Sequence, residues 1–153
     1  MKTITVNRKA RYDYAIQETI EAGLALTGTE IKSIRAGKVN IRDAFARGED
    51  GELWLFNAHI AQYSGGNRYN HEPTRPRKLL LHRDEIRRFS GKAEEKGLAL
   101  IPLKLYIKNH RAKVELALAK GKKLYDKRRS IAKKDAERQI QRAVRRKIRQ
   151  SAS

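Results

Sequence analysis

Three groups of basic residues beside aromatic rings are the side chains of this sequence best suited to chemistry, and the chemistry they suit is the holding of nucleic acid. Arg8, Lys9 and Arg11 lie next to Tyr12 and Tyr14. Arg75, Arg77, Lys78 and Arg83 surround a loop containing Tyr69 and His71. Lys120, Lys122 and Lys123 precede Tyr125, Lys127, Arg128 and Arg129. Lys and Arg hold phosphates, while flat rings stack on unpaired bases. The ordinary alternative for each group is a solvated face with tyrosines that belong to the core. It weighs most on Tyr14 and least on Tyr125, which has few large apolar neighbours.

Covalent chemistry finds no such support. Gly121-Lys122-Lys123 lacks the earlier glycine and the following Ser or Thr of a phosphate-binding P-loop. Gly65-Gly66 is a loop pair rather than a dinucleotide fingerprint, and no serine sits in a nucleophile elbow. His59, His71, His82 and His110 are widely spaced and read as surface or turn residues, not metal ligands. There is no cysteine, which excludes disulfides and thiolate metal sites and fits a reducing compartment. The expectation is a protein without catalytic residues, metal or cofactor.

Charge divides the 153 residues unequally. Residues 120–153 carry fourteen Lys and Arg against Asp126, Asp135 and Glu137, a net +11 of the chain's +19. Such an excess has to be neutralised by a partner, and a phosphate backbone does so. An anionic membrane fits less well, because membrane-surface helices set Trp, Phe or Leu opposite their charge and the tail has none after Leu124. No segment approaches the ~20 apolar residues of a membrane span. A soluble cytoplasmic protein follows, with residues 1–122 as a folded domain and 123–153 as a basic tail.

The domain's elements follow from periodicity. Ile4-Thr5-Val6 is β-prone. Ala15, Ile16, Thr19 and Ile20 have helical spacing, which predicts a helix over Tyr12–Ala22 closed by Gly23. Leu24 and Leu26 suggest a strand. A second helix spans Thr29–Arg35, with Thr29 as N-cap and Gly37 as its stop. A strand over Val39–Ala46 leads to an Asp50-Gly51 turn, and Glu52–Ile60 returns with Trp54, Phe56, Ala58 and Ile60 as the buried face. After a loop over Tyr63–Arg77 come Leu79–Leu81, a helix over Arg83–Lys96 with Ile86 and Phe89 inward and Gly97 as terminator, and a hairpin. The hairpin's outgoing strand is broken at Pro102 and its return strand alternates Val114, Leu116 and Leu118. The fold class is mainly β with peripheral helices (α+β): a small antiparallel OB-like barrel, the closure of which removes exposed strand edges. In the tail, Ala132, Ala136, Ile140, Val144 and Ile148 fall four apart. Like charges would repel along that helix in water, so it is expected to be disordered alone and helical when phosphates neutralise it.

Four stretches resemble the SmpB family of bacterial SsrA-binding proteins: Asn7-Arg8-Lys9-Ala10, GLALTGTEIKSIRAG (Gly23–Gly37), PTRPRKLLLH (Pro73–His82) and LAKGKKLYDKR (Leu118–Arg128). They occur in the family's order and spacing, from about Ile4 to about Arg129. Beyond that the tail matches in composition and length more than in letters. The resemblance implies an OB-like barrel that binds transfer-messenger RNA at its tRNA-like domain, near the elbow. It implies delivery of that RNA, charged with alanine and escorted by elongation factor Tu, to stalled 70S ribosomes for trans-translation. The protein would do no covalent chemistry, and we expect a monomer.

Residue by residue, the resemblance implies that Asn7, Lys9 and Ala10, then Glu30, Lys32 and Arg35, then Lys120, Lys122 and Lys123 form or support the RNA face. Arg8 and Tyr12 join them from the first basic cluster. Periodicity alone reads Glu30 more blandly, as a first-turn acid favoured by the helix dipole. Asp126-Lys127-Arg128 matches the family's segment for later events on the ribosome. Tyr125 stands where some members have His. With Arg129, Ile140, Val144, Arg145 and Ile148 these residues form the tail expected to contact the decoding site and the mRNA channel. A permanently bound ribosomal protein with a basic extension is the rival reading.

Overall fold

The computed structural model describes residues 1–64 and 70–122. The chain divides into two units, Met1–Lys120 and Gly121–Ser153, and the fold below is that of the first. Its elements run β1 (Lys2–Val6), α1 (Arg8–Asp13), β2 (Tyr14–Leu24), α2 (Gly28–Arg35), β3 (Val39–Asn40), β4 (Phe45–Glu49), β5 (Glu52–Phe56), β6 (His59–Ile60), β7 (Arg77–Leu80), α3 (Arg83–Lys96), β8 (Ala99–Lys108) and β9 (Arg111–Gly121).

Seven strands form one sheet in the order β1-β8-β4-β5-β7-β2-β9, and β9 pairs back onto β8. The pairings therefore form a closed circuit of six strands with β1 alongside β8. β3 and β6 make a separate two-stranded sheet. All described pairings are antiparallel. The mainly β class with peripheral helices is as expected.

Two hairpin turns follow directly from their residues. Glu49 pairs with Glu52 across Asp50-Gly51, which have φ of 53° and 77°. Lys108 pairs with Arg111 across Asn109-His110, with φ of 51° and 63°. Two consecutive left-handed residues match the twist of paired strands. Pro102, which has no N–H to give a ladder, sits at the register shift between Pro102 and Lys104 of β8.

The core has two parts. Leu53, Leu55, Leu79, Phe89, Leu105, Val114, Leu116 and Leu118 belong to the larger one. Ile101, Leu103, Ala117 and Ala119 lie in a second cluster with Ala10 of α1. β8 and β9 are thus buried on both faces, because α1 covers the face turned away from the main core. α3 is fastened by Phe89, which is fully buried and contributes on the order of 1.5–3 kcal/mol. Gly97 closes the helix at φ 64°.

Four expectations are corrected. The helix over Tyr12–Ala22 is a short α1 followed by β2. Ala15, Ile16, Thr19 and Ile20 fit a helical face, but the segment also alternates, and alternation wins: Ala15, Gln17, Thr19 and Glu21 are exposed, while Tyr14, Ile16, Glu18 and Ile20 are half-buried. The strand over Val39–Ala46 is two elements, β3 and β4, and that over Glu52–Ile60 is likewise split into β5 and β6. Asn57, at φ 61°, breaks the second and changes its phase. Leu53 and Leu55 are fully buried before it and Ala58 and Ile60 after it, leaving Trp54 and Phe56 half-buried on the other side. Finally, α2 begins one residue early, at Gly28, and its N-cap is Thr27 rather than Thr29.

Candidate nucleic-acid interface

Asn7 builds the first part of the interface. Its side-chain oxygen accepts from the Ala10 N–H at 3.0 Å, which caps α1. Its amide nitrogen donates to the carbonyls of Ile41 at 3.1 Å and Pro102 at 3.0 Å. Its backbone N–H donates to Leu103 O at 2.7 Å. Asn7 is 2% exposed and its polar groups are engaged inside the protein, so it positions α1 rather than touching a partner. Ala10, on the inward face of α1, is buried.

The opposite face of α1 is open. Arg8, Lys9, Arg11 and Tyr12 are exposed, Tyr12 by 81%. Lys9 reaches Asp43 at 3.3 Å and Arg11 reaches Glu115 at 3.7 Å. Exposed pairs of this kind are worth about 0–1 kcal/mol, so a phosphate can displace either carboxylate. Arg8 has no ion pair among the described residues. One helical turn thus offers three cations beside a solvent-facing ring.

α2 carries the second group, and here burial separates the candidates. Glu30 is fully buried in a capping box: its N–H donates to Thr27 Oγ1 at 3.4 Å, and its Oε1 accepts from the Thr27 N–H at 2.9 Å. Arg75 forks onto the same carboxylate, with Nε donating to Oε2 at 3.1 Å and a terminal nitrogen donating to Oε1. Arg77 donates from Nε to Glu30 Oε2 at 2.5 Å, and from its terminal nitrogens to the carbonyls of Ala58 at 2.6 Å, Glu72 at 3.3 Å and Pro73 at 2.9 Å. Burial opposes ionisation of Glu30, but the hydrogen bonds from Arg75, the Thr27 N–H and Arg77 outweigh it and hold the carboxyl below its usual range. Burial also lowers the Arg77 pKa, against the pull of Glu30. The pair ties the Asn70–Arg77 segment to the start of α2.

This overturns part of the second basic cluster. Arg77 is fully buried and Arg75 is engaged with Glu30, so neither is a free phosphate cation. His71 is also buried rather than a surface residue. Its Nε2 lies 2.9 Å from Ile60 O, which only accepts, so Nε2 carries the proton; Nδ1 meets Thr29 Oγ1 at 2.8 Å. Sequence reasoning missed this network, although Thr27-x-x-Glu30 is a capping-box signature and was legible.

Further along α2, Lys32 is exposed, with its ammonium 5.2 Å from the Tyr63 ring centroid, a cation–π distance. Arg35 is exposed at the helix end. Lys120 is exposed on β9, next to Ala119 in the cluster that α1 covers. Lys122 is exposed too. Lys123, Tyr69, and the tail candidates Tyr125 to Arg129, Ile140, Val144, Arg145 and Ile148 lie outside the described residues. Among the described residues no group of three or more His, Asp and Glu is placed to hold a metal, and no helix is long and apolar enough to cross a membrane.

The family model described as SmpB protein matches residues 4–146. The chain belongs to the SmpB family. It is 67% identical over 144 residues to the SsrA-binding protein of Desulforudis audaxviator, covering 94% of each chain. To that of Carboxydothermus hydrogenoformans it is 64% identical, over 94% of this chain and 97% of the other. A solved SmpB chain from work described as "tmRNA-SmpB: a journey to the center of the bacterial ribosome" is 58% identical, with a TM-score of 0.66 over 78% of this chain and 85% of that one. The exposed cations of α1, the end of α2 and Lys120 are therefore the candidate RNA contacts of an SmpB-family protein, with Asn7 and Glu30 behind them.

Proposed function

We propose that this protein binds transfer-messenger RNA at its tRNA-like domain and carries it to stalled ribosomes, where nascent chains are tagged and the ribosomes released. The observation that carries this is the open face of α1, where Arg8, Lys9, Arg11 and Tyr12 are exposed on a helix fixed from below by Asn7. Relatives at 64–67% identity that bear the name SsrA-binding protein support the choice of RNA. Elongation factor Tu would meet the protein only through the charged RNA. Its own part is recognition and placement in the cytoplasm, with no bond made or broken.

The direct contacts are Arg8, Lys9, Tyr12, Lys32, Arg35, Lys120, Lys122 and Lys123. Asn7, Ala10 and Glu30 hold them in place. A ribosome stalled without a codon leaves its decoding site and downstream mRNA channel empty. The folded domain takes the volume of the missing anticodon arm, and the tail over 123–153, with twelve Lys and Arg against three acids, enters the channel, where mRNA would exclude it.

The test is a titration against transfer-messenger RNA and an elongator tRNA, each at two salt concentrations. Strong preference for the former that persists at the higher salt is expected, because nonspecific phosphate binding falls steeply with salt. Equal binding that collapses with salt would overturn the proposal in favour of a general basic RNA binder or ribosomal component.

A further inference from the structure

A cleft of about 250 Å³ opens between β1, the end of α2 and the β8–β9 turn, lined by Lys2, Ile4, Arg35, Ile107 and His110. Lys2 pairs with Ile107 across β1 and β8, which makes the N-terminal strand one wall. His110 is held by the left-handed turn it shares with Asn109. Ile4 and Ile107 are half-buried and rest on the main core, giving the cleft an apolar floor.

The positive charge lining the cleft has no carboxylate among the described residues to offset it. Lys9, Arg11, Arg47, Lys78, Arg88, Lys92, Lys104 and Lys108 all have carboxylate partners. Lys2, Arg35 and His110 have none among the described residues, and no acid lines the cleft. Two fixed positive charges and an imidazole, which keeps at least one N–H to donate in either protonation state, face an apolar floor. A metal cation would be repelled. A nucleotide fits: its phosphate takes the Lys and Arg, and its sugar and base edge lie against the two isoleucines.

We infer that this cleft seats one nucleotide of the bound RNA, so that the interface continues past Arg35 to Lys2, His110 and the β8–β9 turn. This rests on the RNA-binding reading above and extends it to residues outside the four motif stretches. The occupant is a backbone nucleotide of the RNA and not a free one, because the cleft adjoins Arg35 at the end of the α2 group and is shallow enough for a passing strand to be held without being enclosed.

The experiment uses the full chain and a Lys2→Gln/His110→Asn double variant, with asparagine chosen because it tolerates the left-handed backbone at 110. Both are titrated with transfer-messenger RNA over a range of salt, beside an Arg8→Gln/Lys9→Gln variant. The cleft variant should melt as the wild type does, bind more weakly at low salt, and lose about one unit of the slope of log affinity against log salt. Unchanged affinity and slope in the cleft variant, with weakened binding by the α1 variant, would overturn the cleft and leave RNA binding standing. Wild type that shows no preference for transfer-messenger RNA would overturn both. Because the chain has no cysteine, His110→Cys labelled with a photoreactive group supplies an independent readout. A crosslink to the RNA is expected. Absence of that crosslink while labelled protein still binds the RNA would sink the proposal, as would AMP at millimolar concentration binding the cleft and leaving RNA affinity untouched.

Discussion

Glu30 and Arg77 stand 47 residues apart, are both fully buried, and meet at 2.5 Å. A buried ion pair is weak evidence of stability compared with an apolar core, yet breaking one by removing a single partner costs about 3–5 kcal/mol because the other charge is left without compensation. In this protein the partner left behind would be Arg77, enclosed by three carbonyls and with no route to water.

Glu30→Gln should therefore destabilise the fold by about 3–5 kcal/mol and lower the Tm by on the order of 10 °C. Thermal melts and urea titrations read this directly. A Glu30→Gln/Arg77→Gln double variant removes the uncompensated charge and should recover part of the loss, and RNA affinity should recover with it. If Glu30→Gln melts like the wild type yet fails to bind RNA, Glu30 is a contact and not a support.

Asn7 makes a sharper discrimination possible. Asn7→Ala removes the α1 cap, worth about 0.5–2 kcal/mol, and also leaves Ile41 O and Pro102 O without their donor. Asn7→Asp keeps the capping oxygen but turns a carboxylate toward those two carbonyls. Aspartate should thus be the more damaging of the two by melting temperature, the reverse of what loss of the cap alone would give. RNA binding should weaken in both, through loss of the α1 platform. Asn7→Asp being milder than Asn7→Ala would show that the cap outweighs the carbonyl contacts.

The pH dependence of stability has a definite sign at each end. The Glu30 carboxyl is held below its ordinary value of 4.5, so its contribution is present above that value and is lost as pH falls through the lower folded-state pKa. Acid denaturation should be shallower in Glu30→Gln, although Glu18 and Glu21, also lowered, keep part of the slope. Tyr106 behaves oppositely. Burial first, and then its hydrogen bond to Glu21 at 2.5 Å, push its phenol well above the ordinary 10.0. Its contribution is full below pH 10 and is lost as pH rises beyond it. Tyr106→Phe should flatten the alkaline limb. A stability curve unchanged above pH 10 in that variant would contradict this assignment.

Most of the β architecture was legible because its turns are written in residues that tolerate positive φ: Asp50-Gly51, Asn109-His110 and Gly97 mark the boundaries the structure has. The β2 strand was not, because Tyr14–Leu24 fits both periods and only its partners β7 and β9 decide between them. The phase change at Asn57 was hidden for a similar reason, since one left-handed residue inside a strand-like run leaves the alternation intact on either side. At the candidate site, composition found the exposed α1 cations. It could not separate them from Arg75 and Arg77, which look alike in sequence and differ only in that a buried carboxylate 45 and 47 residues away claims them.

The tail supplies the last prediction. Residues 130–153 hold eight Lys and Arg and two acids, so deleting them removes a net six positive charges while the proposed interface of α1, α2 and Lys120 stays whole. Affinity for the tRNA-like domain should change little, whereas tagging on ribosomes stalled without a codon should be lost. An Ile140→Asp/Val144→Asp/Ile148→Asp variant then asks whether charge suffices, since it interrupts the apolar residues spaced four apart and lowers the net charge by only three. If the tail acts as a helix with an apolar stripe, tagging should fail there. A variant lowering the charge equally by Lys→Gln changes off the stripe should retain most activity. Equal loss in both would make electrostatic attraction to the channel the whole of the tail's work, and loss of RNA binding together with tagging in the deletion would remove the division of labour itself.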